Sequence, residues 1–250
     1  MTEPDPDLDH VAAAVERGDH ATVIELTGAR LVERPGDDAA HAQRARALLA
    51  HGRLEDAEAD AMDAVRLDPD EVRYRELLAE IQSQRGEHAD AAVEYARLAR
   101  RDPRQVAWTV AEAAERIEGA DAARGVEAAR RAVRLEPQNF DAQLALARGL
   151  IRVGDAAGAL PAAKRATDLR PGDAAGRETL ADALWLAEQA PAAFHEFRVL
   201  ADELRGADLQ RVLAKARSLY RGQATWARRL STRPRPLFAL ALRRGWLRVR

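Results

Sequence analysis

The stretch from Arg66 to Gln105 reads RLDPDEVRYRELLAEIQSQRGEHADAAVEYARLARRDPRQ, and it contains two Asp-Pro dipeptides whose prolines are Pro69 and Pro103. These two prolines are 34 residues apart. The same interval is continued by Pro35, Pro137 and Pro171. Proline ends a helix because it lacks the amide hydrogen that a continuing helix needs. The interval therefore predicts an all-α repeat of 34 residues, in which each proline follows the second of two short helices.

A second landmark lies midway through the repeat. Glycine occurs 17 residues before four of the five prolines, at Gly18, Gly52, Gly86 and Gly154. In the remaining repeat that position is Ala120, with Gly119 just before it. Because glycine accepts the sharp turn between two antiparallel helices, these positions predict a helix-turn-helix unit.

Small and large apolar residues also recur in phase with the repeat. Small side chains lie five and twelve residues after the turn, at Ala57, Ala91, Gly125, Ala159, Ala64, Ala132 and Ala166. Large apolar residues lie between them at helical spacing, at Leu48, Leu67, Leu78, Leu135, Leu150 and Leu184. Small residues allow neighbouring helices to approach closely, so we expect both sets to lie in the packed seams between helices. The regular proline and glycine positions exclude a coiled coil.

Polar residues that follow the prolines are expected to cap the next helix. Asp37, Asp70, Asn139 and Asp173 can accept hydrogen bonds from the free amides at a helix start. The boundary at Pro103 is followed by Arg104 and Gln105 and has no good cap. Two other prolines, Pro161 and Pro191, are expected in the first turn of a second helix, where a missing amide costs little. For Pro161 this requires a helix that starts near Gly158.

This pattern resembles the tetratricopeptide repeat family. The best unit, Ala39–Pro69, matches the family's order through Ala45, Leu48, Gly52, Ala57, Ala61, Ala64 and Pro69. The unit Phe140–Pro171 matches through Ala147, Leu150, Gly154, Ala159, Ala166 and Pro171. The first unit is degenerate, with Val23 and Arg30 where small residues are usual, and the last lacks its closing proline.

The resemblance implies a right-handed superhelical solenoid of about six helix pairs and a capping helix. The predicted units are residues 4–37, 38–71, 72–105, 106–139, 140–173 and 174–205. The capping helix is predicted at 206–222, from the spacing of Leu209, Val212, Leu213, Ala216, Leu219 and Tyr220. Residues 223–250 are predicted to form a basic tail with a short apolar segment.

Composition excludes several classes of function. The chain has no cysteine, which removes disulfides, cysteine-ligated zinc and thiol catalysis. No run of about 18 apolar residues is present, so no transmembrane helix is expected. The acidic start MTEPDPDLD lacks a signal-peptide pattern, so a cytoplasmic location is the default expectation. A bacterial origin is also expected. The arginine-rich, lysine-poor composition is typical of a GC-rich genome.

No arrangement of residues predicts catalysis, a cofactor or a metal. The six histidines form neither an HExxH motif nor a pair four residues apart, and no phosphate-binding glycine loop or nucleophile elbow is present. His20 and His88 occupy the same repeat position, which favours a structural role. The sequence Phe194-His195-Glu196-Phe197 fits a helix with Phe197 turned inward. We therefore predict a non-enzymatic protein.

The resemblance implies that the first helices of the units line a concave groove that binds a protein or peptide. Groove positions by this analogy are Arg46, Arg73, Glu76, Glu80, Arg148, Arg152, Glu178, Asp182 and Trp185. Some family members hold a peptide's terminal carboxylate with a clamp that includes asparagine. The single asparagine here, Asn139, is assigned to a helix cap, so that clamp is not expected. The arginines can pair with carboxylates of a partner or with neighbouring acidic residues of the chain itself.

The end of the chain carries a charge opposite to the rest. Residues 205–250 contain thirteen arginines and lysines and one acidic residue, Asp208, although the whole chain has a net charge of −2. The basic, apolar tail, which includes Arg243, Arg244 and Trp246, has several alternative roles. The first alternative is that it packs on the array as a further helix, and the second is that it docks in the array's acidic groove. The third is that it binds an acidic protein. The fourth is that it anchors a membrane-surface or assembly factor on an anionic membrane. Nucleic acid is not an expected partner, because the acidic body repels phosphate.

Overall fold

The computed structural model describes the backbone of residues 6–230 and the side chains of residues 10–219. Over that backbone range the chain forms thirteen α-helices and no β-strand. It divides into two compact units, Met1–Glu136 and Pro137–Arg250. The predicted all-α helical repeat fold is thereby confirmed.

Unit 1 consists of four helix pairs. Their bounds are α1 Pro6–Glu16, α2 His20–Glu33, α3 Asp38–Ala50, α4 Leu54–Leu67, α5 Val72–Gln84, α6 His88–Arg101, α7 Val106–Glu118 and α8 Ala122–Leu135. Each helix packs against the next along the chain, and the first helices α3 and α5 also contact each other. This arrangement is that of stacked helix-turn-helix repeats.

Unit 2 continues the same construction with two pairs and one long helix. Its helices are α9 Phe140–Arg152, α10 Ala156–Leu169, α11 Ala174–Leu186, α12 Ala190–Glu203 and α13 Gly206–Leu230. Consecutive helices again pack together, and the first helices α9 and α11 contact each other. The helix α13 starts where a cap was predicted and continues past Gly222.

The repeat prolines lie where the sequence predicts helix ends. The second helices end at Glu33, Leu67, Arg101, Leu135 and Leu169, each two residues before a repeat proline. The four turn glycines have positive φ angles, which confirms their predicted role: 68° at Gly18, 73° at Gly52, 79° at Gly86 and 79° at Gly154. In the last pair the same turn position is Glu188, which adopts the left-handed conformation at φ 58° without being glycine.

The seams between helices are built from small side chains, as predicted. Ala57, Ala64, Ala91, Ala132, Ala159 and Ala166 are all fully buried. At Gly125 a Cβ atom would lie 2.6 Å from Ile117 Cγ1, so the helices α7 and α8 approach too closely for any side chain there. The prediction for Leu135 is wrong, because this residue is 49% exposed. As the last residue of α8, it extends past the buried row formed by Ala128, Ala129 and Ala132.

Three of the four predicted N-cap residues are confirmed. Asp37, Asn139 and Asp173 accept hydrogen bonds from the amides of Ala40, Ala142 and Gly176. The prediction for Asp70 is wrong. The N-cap always lies two residues after the proline, and there Glu71 accepts from the Arg73 amide instead. Gln105 makes no side-chain cap bond, as expected.

The two non-repeat prolines differ in outcome. Pro191 lies in the first turn of α12, which confirms its prediction. Pro161 lies inside α10, because that helix already begins at Ala156, so the predicted start near Gly158 is wrong. Asp155 accepts a hydrogen bond from the Gly158 amide and thereby starts the helix earlier.

The buried seam is tested by introducing a charge. Ala57→Glu should lower the free energy of unfolding by about 3 kcal/mol, because the carboxylate would be desolvated without a partner. Ala59→Glu, an exposed alanine on the same helix, is the matched control and should change stability little. Thermal and urea unfolding followed by circular dichroism measure both. Equal stability of the two variants would show that residue 57 does not lie in a packed seam.

The turn at Glu188 is expected to be strained. A non-glycine residue in the left-handed region costs roughly 1–2 kcal/mol, so Glu188→Gly should raise the free energy of unfolding by about 1 kcal/mol. Glu188 is exposed, so little packing is lost. The converse control is Gly154→Ala, where an added Cβ meets no atom within 4 Å and only the φ angle is unfavourable. Denaturant midpoints that move in the same direction for both variants would contradict this explanation.

Candidate interaction surfaces

The first helices carry the predicted partner-binding residues in each unit. In unit 1, Arg46 on α3 and Glu80 on α5 are exposed. Arg73 is also exposed, but its guanidinium pairs with Glu71 at 3.0 Å. Hydrogen bonds from Arg73 lower the pKa of Glu71 to about 2. Arg73 is therefore held by its own helix start and is less available to a partner than Arg46.

Acidic and aromatic side chains dominate the neighbouring surface of α5, α6 and α7. Trp108 donates its indole N–H to Glu76 Oε1 at 2.5 Å. Glu115 accepts from the Ser83 hydroxyl at 2.7 Å. Burial raises the pKa of Tyr95 to about 12, and the carboxylates of Glu115, Glu80 and Glu76 act in the same direction. Because the predicted groove residue Glu76 is half-buried and already paired, it acts mainly in packing α7 against α5.

In unit 2 the predicted arginines lie one helical turn apart on α9. Arg148 and Arg152 are both exposed. The Arg148 Nε lies 3.5 Å from the Thr179 hydroxyl of α11, a long contact that leaves the guanidinium accessible. Trp185, half-buried on α11, packs edge-to-face against Phe194 with ring centroids 5.8 Å apart. We call Arg148, Arg152 and Trp185 the arginine surface.

The predicted acidic groove residues of unit 2 are covered by α13. Arg211 contacts Glu178 at 2.8 Å. Lys215 contacts Glu178 at 2.8 Å and Asp182 at 2.5 Å. We call Glu178 and Asp182 the acidic pair. Its two negative charges are thus balanced by two cations from the last helix, which the sequence alone did not indicate.

The two carboxylates of the acidic pair respond differently to this environment. Burial disfavours ionisation of Glu178, but hydrogen bonds from Lys215 and Arg211 outweigh burial and lower its pKa. For Asp182 burial dominates and raises the pKa, although Lys215 and Arg148 both favour its charged form. Glu178 therefore makes the stronger ionic contact with α13, and Asp182 is the more costly of the two to keep charged.

A set of buried and partly buried polar pairs was missed by sequence reasoning. His41 Nδ1 lies 2.9 Å from Asp60 Oδ1. Two further pairs have the same sequence separation of 19 residues, Arg75–Glu94 at 2.5 Å and Arg177–Glu196 at 3.0 Å. Each joins the first and second helices of one repeat. The signal was present in the sequence, because His41, Arg75 and Arg177 share one repeat position and Asp60, Glu94 and Glu196 share another.

His20, His51 and His88 each lie next to another side chain of the described part of the chain. The ring of His20 lies 6.0 Å from that of His51, and His88 Nδ1 lies 2.8 Å from Glu115 Oε2. Phe197 is buried, as predicted for the Phe-His-Glu-Phe segment. Among the described side chains, no three acidic or histidine groups converge as metal ligands. The predicted tail residues Arg243, Arg244 and Trp246 lie outside the described residues, and no described helix is long and apolar enough to cross a membrane.

Comparison with known proteins identifies the fold. No family model matches the sequence, and no curated protein matches it. The structure resembles that of a tetratricopeptide repeat protein from Parabacteroides merdae, with a TM-score of 0.71 at 15% sequence identity. That match covers 88% of this chain and 91% of the other.

Two further solved structures show the same likeness. YrrB, described as a TPR protein with an unusual peptide-binding site, matches with a TM-score of 0.57 at 16% identity over 76% of this chain and 97% of its own. Yeast Tom70 matches with a TM-score of 0.57 at 17% identity over 80% of this chain and 43% of its own. The resemblance to tetratricopeptide repeats seen in the sequence is confirmed at the level of the fold.

The buried and partly buried polar pairs are tested at Asp60. This carboxylate also accepts from Arg44 at 2.6 Å, and its side chain is only 7% exposed. Asp60→Ala should lower the free energy of unfolding by about 3 kcal/mol, because it leaves the buried His41 ring and the partly buried Arg44 guanidinium without this partner. Asp63→Ala removes an exposed partner of Arg66 from the same helix and should cost less than about 1 kcal/mol. Denaturant unfolding compares them, and similar losses would contradict a buried role for Asp60.

Proposed function

We propose that this chain, which has the tetratricopeptide repeat fold, is a non-enzymatic scaffold that binds a protein or peptide through its first helices. The proposal includes Arg46, Arg73 and Glu80 in unit 1 as contact residues. It also includes Arg148, Arg152, Asp182 and Trp185 in unit 2. Within each unit, neighbouring first helices provide a surface on which side chains from successive repeats can contact a partner.

The observation that carries the proposal is the exposure of two arginines on one side of α9. Arg148 and Arg152 are exposed one turn apart, which places two guanidinium groups on one side of α9. The nearest acidic side chains on α11 are already paired with Arg211 and Lys215. Both arginine side chains are exposed to solvent on this side of α9. Guanidinium groups form paired, charge-assisted hydrogen bonds with carboxylates, so a partner segment rich in Asp or Glu fits this surface.

Trp185 adds an apolar component on the neighbouring first helix α11. Its indole is half-buried and is fixed by the edge-to-face contact with Phe194. A rigid aromatic ring provides contact area at low cost in side-chain entropy, and tryptophan and arginine are the residues that most often dominate binding energies. An acidic segment with an apolar residue next to its carboxylates is thus the best match for this part of unit 2.

Unit 1 offers a surface of different character. Arg46 is exposed on α3, whereas Glu80 is exposed on α5 close to the partly buried Tyr95. Arg73 remains paired with Glu71. A partner that extends over these helices would meet mixed charges rather than one sign, so we expect unit 1 to determine specificity more than electrostatic attraction.

The similar fold of YrrB supports a peptide-binding role, because that protein is described as having a peptide-binding site. The membrane-surface alternative depends only on the composition of the tail and stays a prediction.

The arginine surface is tested by charge reversal. The tagged chain and its Arg148→Glu/Arg152→Glu variant are used to capture proteins from a native cell extract, and captured proteins are quantified by mass spectrometry. Partners bound through the arginine surface should fall at least about tenfold with the variant, which corresponds to about 1.4 kcal/mol of binding free energy.

The matched control reverses two charges on the outer side of the same unit. Lys164 and Arg165 on α10 are both exposed, so Lys164→Glu/Arg165→Glu introduces the same charge change away from the first helices. Circular dichroism melts establish that both variants are folded. If the two variants lose the same partners, or if neither loses any, the arginine surface is not the binding site.

A further inference from the structure

The contact of α13 with α11 and α12 is ionic at its edge, towards α11, and apolar at its centre, mostly towards α12. Arg211 and Lys215 are one turn apart on α13 and reach the acidic pair on α11. Between them Val212 is fully buried, and it packs with Ala181, Phe197 and Leu200. Ala216 and Leu219 extend the same apolar stripe. The helix α13 thus presents cations at positions i and i+4 and apolar residues at i+1, i+5 and i+8.

This ionic contact is not part of the repeat pattern of unit 2. The residues 34 positions before Arg211 and Lys215 are Arg177 and Ala181. Arg177 pairs with Glu196 of its own repeat, and Ala181 is fully buried. The first helices α9 and α11 pack instead through apolar contacts such as that of Phe140 with Ala175. The salt links are therefore a particular feature of α13.

The connection before α13 is suited to a hinge. The helix α12 ends at Glu203, and only Leu204 and Arg205 precede α13. The first residue of α13, Gly206, has a positive φ angle of 60°, and a Cβ atom placed there would meet no atom within 4 Å. Glycine changes between left-handed and right-handed backbone conformations without a steric penalty. Rotation at Gly206 would separate α13 from α11 and from Phe197 and Leu200 of α12.

We propose that α13 is a displaceable latch, and that the surface beneath it receives a basic amphipathic helix from a partner protein. The receiving surface consists of the acidic pair together with the apolar side chains Ala181, Phe197 and Leu200. The helix α13 itself shows which ligand fits, because a partner helix with the same spacing of cations and apolar residues would replace each of its contacts. This site goes beyond the arginine surface, since it needs neither Arg148 nor Arg152.

The free-energy balance favours exchange with a basic helix over simple opening. Release of α13 exposes Phe197 and Leu200 to water and leaves both carboxylates of the acidic pair without their cations. An acidic or neutral helix would not restore the ionic contacts of the acidic pair. A second basic helix restores these contacts and also buries Phe197 and Leu200 again. Arg211 is 57% exposed in the closed state, so solvent reaches this ion pair and salt weakens it.

Protonation does not open the latch near neutral pH. Burial acts to lower the pKa of Lys215, but hydrogen bonds to Asp182 and Glu178 outweigh burial and raise that pKa. A cation whose pKa is higher in the folded than in the unfolded state contributes its full stabilisation at pH values below the unfolded-state pKa. This contribution is lost only as the pH rises through the folded-state pKa. The trigger is therefore competition by the partner helix.

The test uses a fluorescent synthetic peptide with the sequence of residues 206–219 as the probe. Fluorescence anisotropy measures its binding to the full chain, to the latch variant Arg211→Gln/Lys215→Gln and to the control Lys164→Gln/Arg165→Gln. The latch variant should bind the peptide at least about tenfold more tightly than the full chain or the control. Adding Glu178→Gln/Asp182→Asn to the latch variant should remove this gain, and a peptide with glutamate at positions 211 and 215 should not bind.

Hydrogen exchange of the wild-type chain provides a second measurement that needs no substitution. At about 0.5 M NaCl, exchange of the α13 amides should accelerate while that of the α11 amides stays unchanged, because salt screens the ionic contacts of the latch. Equal peptide binding by all variants, or binding that survives loss of the acidic pair, would overturn the proposal. Joint acceleration of α11 and α13 would also overturn it, because α13 would then be an integral part of the unit.

Discussion

The close approach of neighbouring helices at alanine and glycine positions is the constraint on which the rest of this structure depends. Ala57, Ala91 and Ala159 leave no side-chain surface exposed, and Gly125 leaves no room for even a Cβ atom. Such contacts bring two backbones together and let many weak dispersion interactions add up. With only 4% aromatic residues, the chain has few large side chains to bury, so stability must come from many such seams.

The seams have a consequence for the first helices. When each second helix is fixed against its partner by small residues, successive first helices are displayed in a regular order. Arg148 and Thr179, on the neighbouring first helices α9 and α11, meet in this way. The proposed arginine surface is therefore a product of the repeat period, whereas the ionic contact between Glu178 and Arg211 is particular to α13.

Buried and partly buried polar pairs supplement the apolar seams inside individual repeats. The pairs His41–Asp60, Arg75–Glu94 and Arg177–Glu196 join the two helices of a repeat at the same relative positions. A carboxylate withdrawn from water without its partner is costly, so a change on one helix favours a matching change on the other. The intervening repeats, which carry Thr109 and Gln143 at the first of these positions, lack the acidic residue at the second. The first repeat also lacks the pair, because it has Asp7 and Leu26 at these positions.

The sequence predicted the features that depend on backbone chemistry. Proline and glycine set the helix ends and the turns through their own covalent structure, and both predictions are confirmed at every repeat that contains these residues. Predictions based on side-chain chemistry were less secure. Asp70 has the right chemistry for a cap but lies one residue too early, and Pro161 was expected in a first turn although Asp155 starts the helix before it.

Contacts between separate helices were the hardest to foresee. The acidic pair was assigned to an open groove because nothing in residues 174–186 reveals that Arg211 and Lys215 reach it from another helix. Leu135 was assigned to a seam by its helical spacing, yet its position at the helix end leaves it half-exposed. Long-range packing of this kind depends on the order in which repeats stack. The periodic pattern of the sequence specifies the helices of one repeat. It does not specify which side chains of other helices contact that repeat.

The most direct test of the account is the removal of one whole repeat. Deletion of residues 72–105 removes one 34-residue period and should give a shorter chain that keeps its helix content per residue and still unfolds cooperatively, because the flanking seams can join in phase. Deletion of residues 76–105 removes a similar length out of phase and should unfold the joined region. Circular dichroism and thermal unfolding of the two chains decide the matter. If the in-phase deletion is as disruptive as the out-of-phase one, the 34-residue period is not the structural unit.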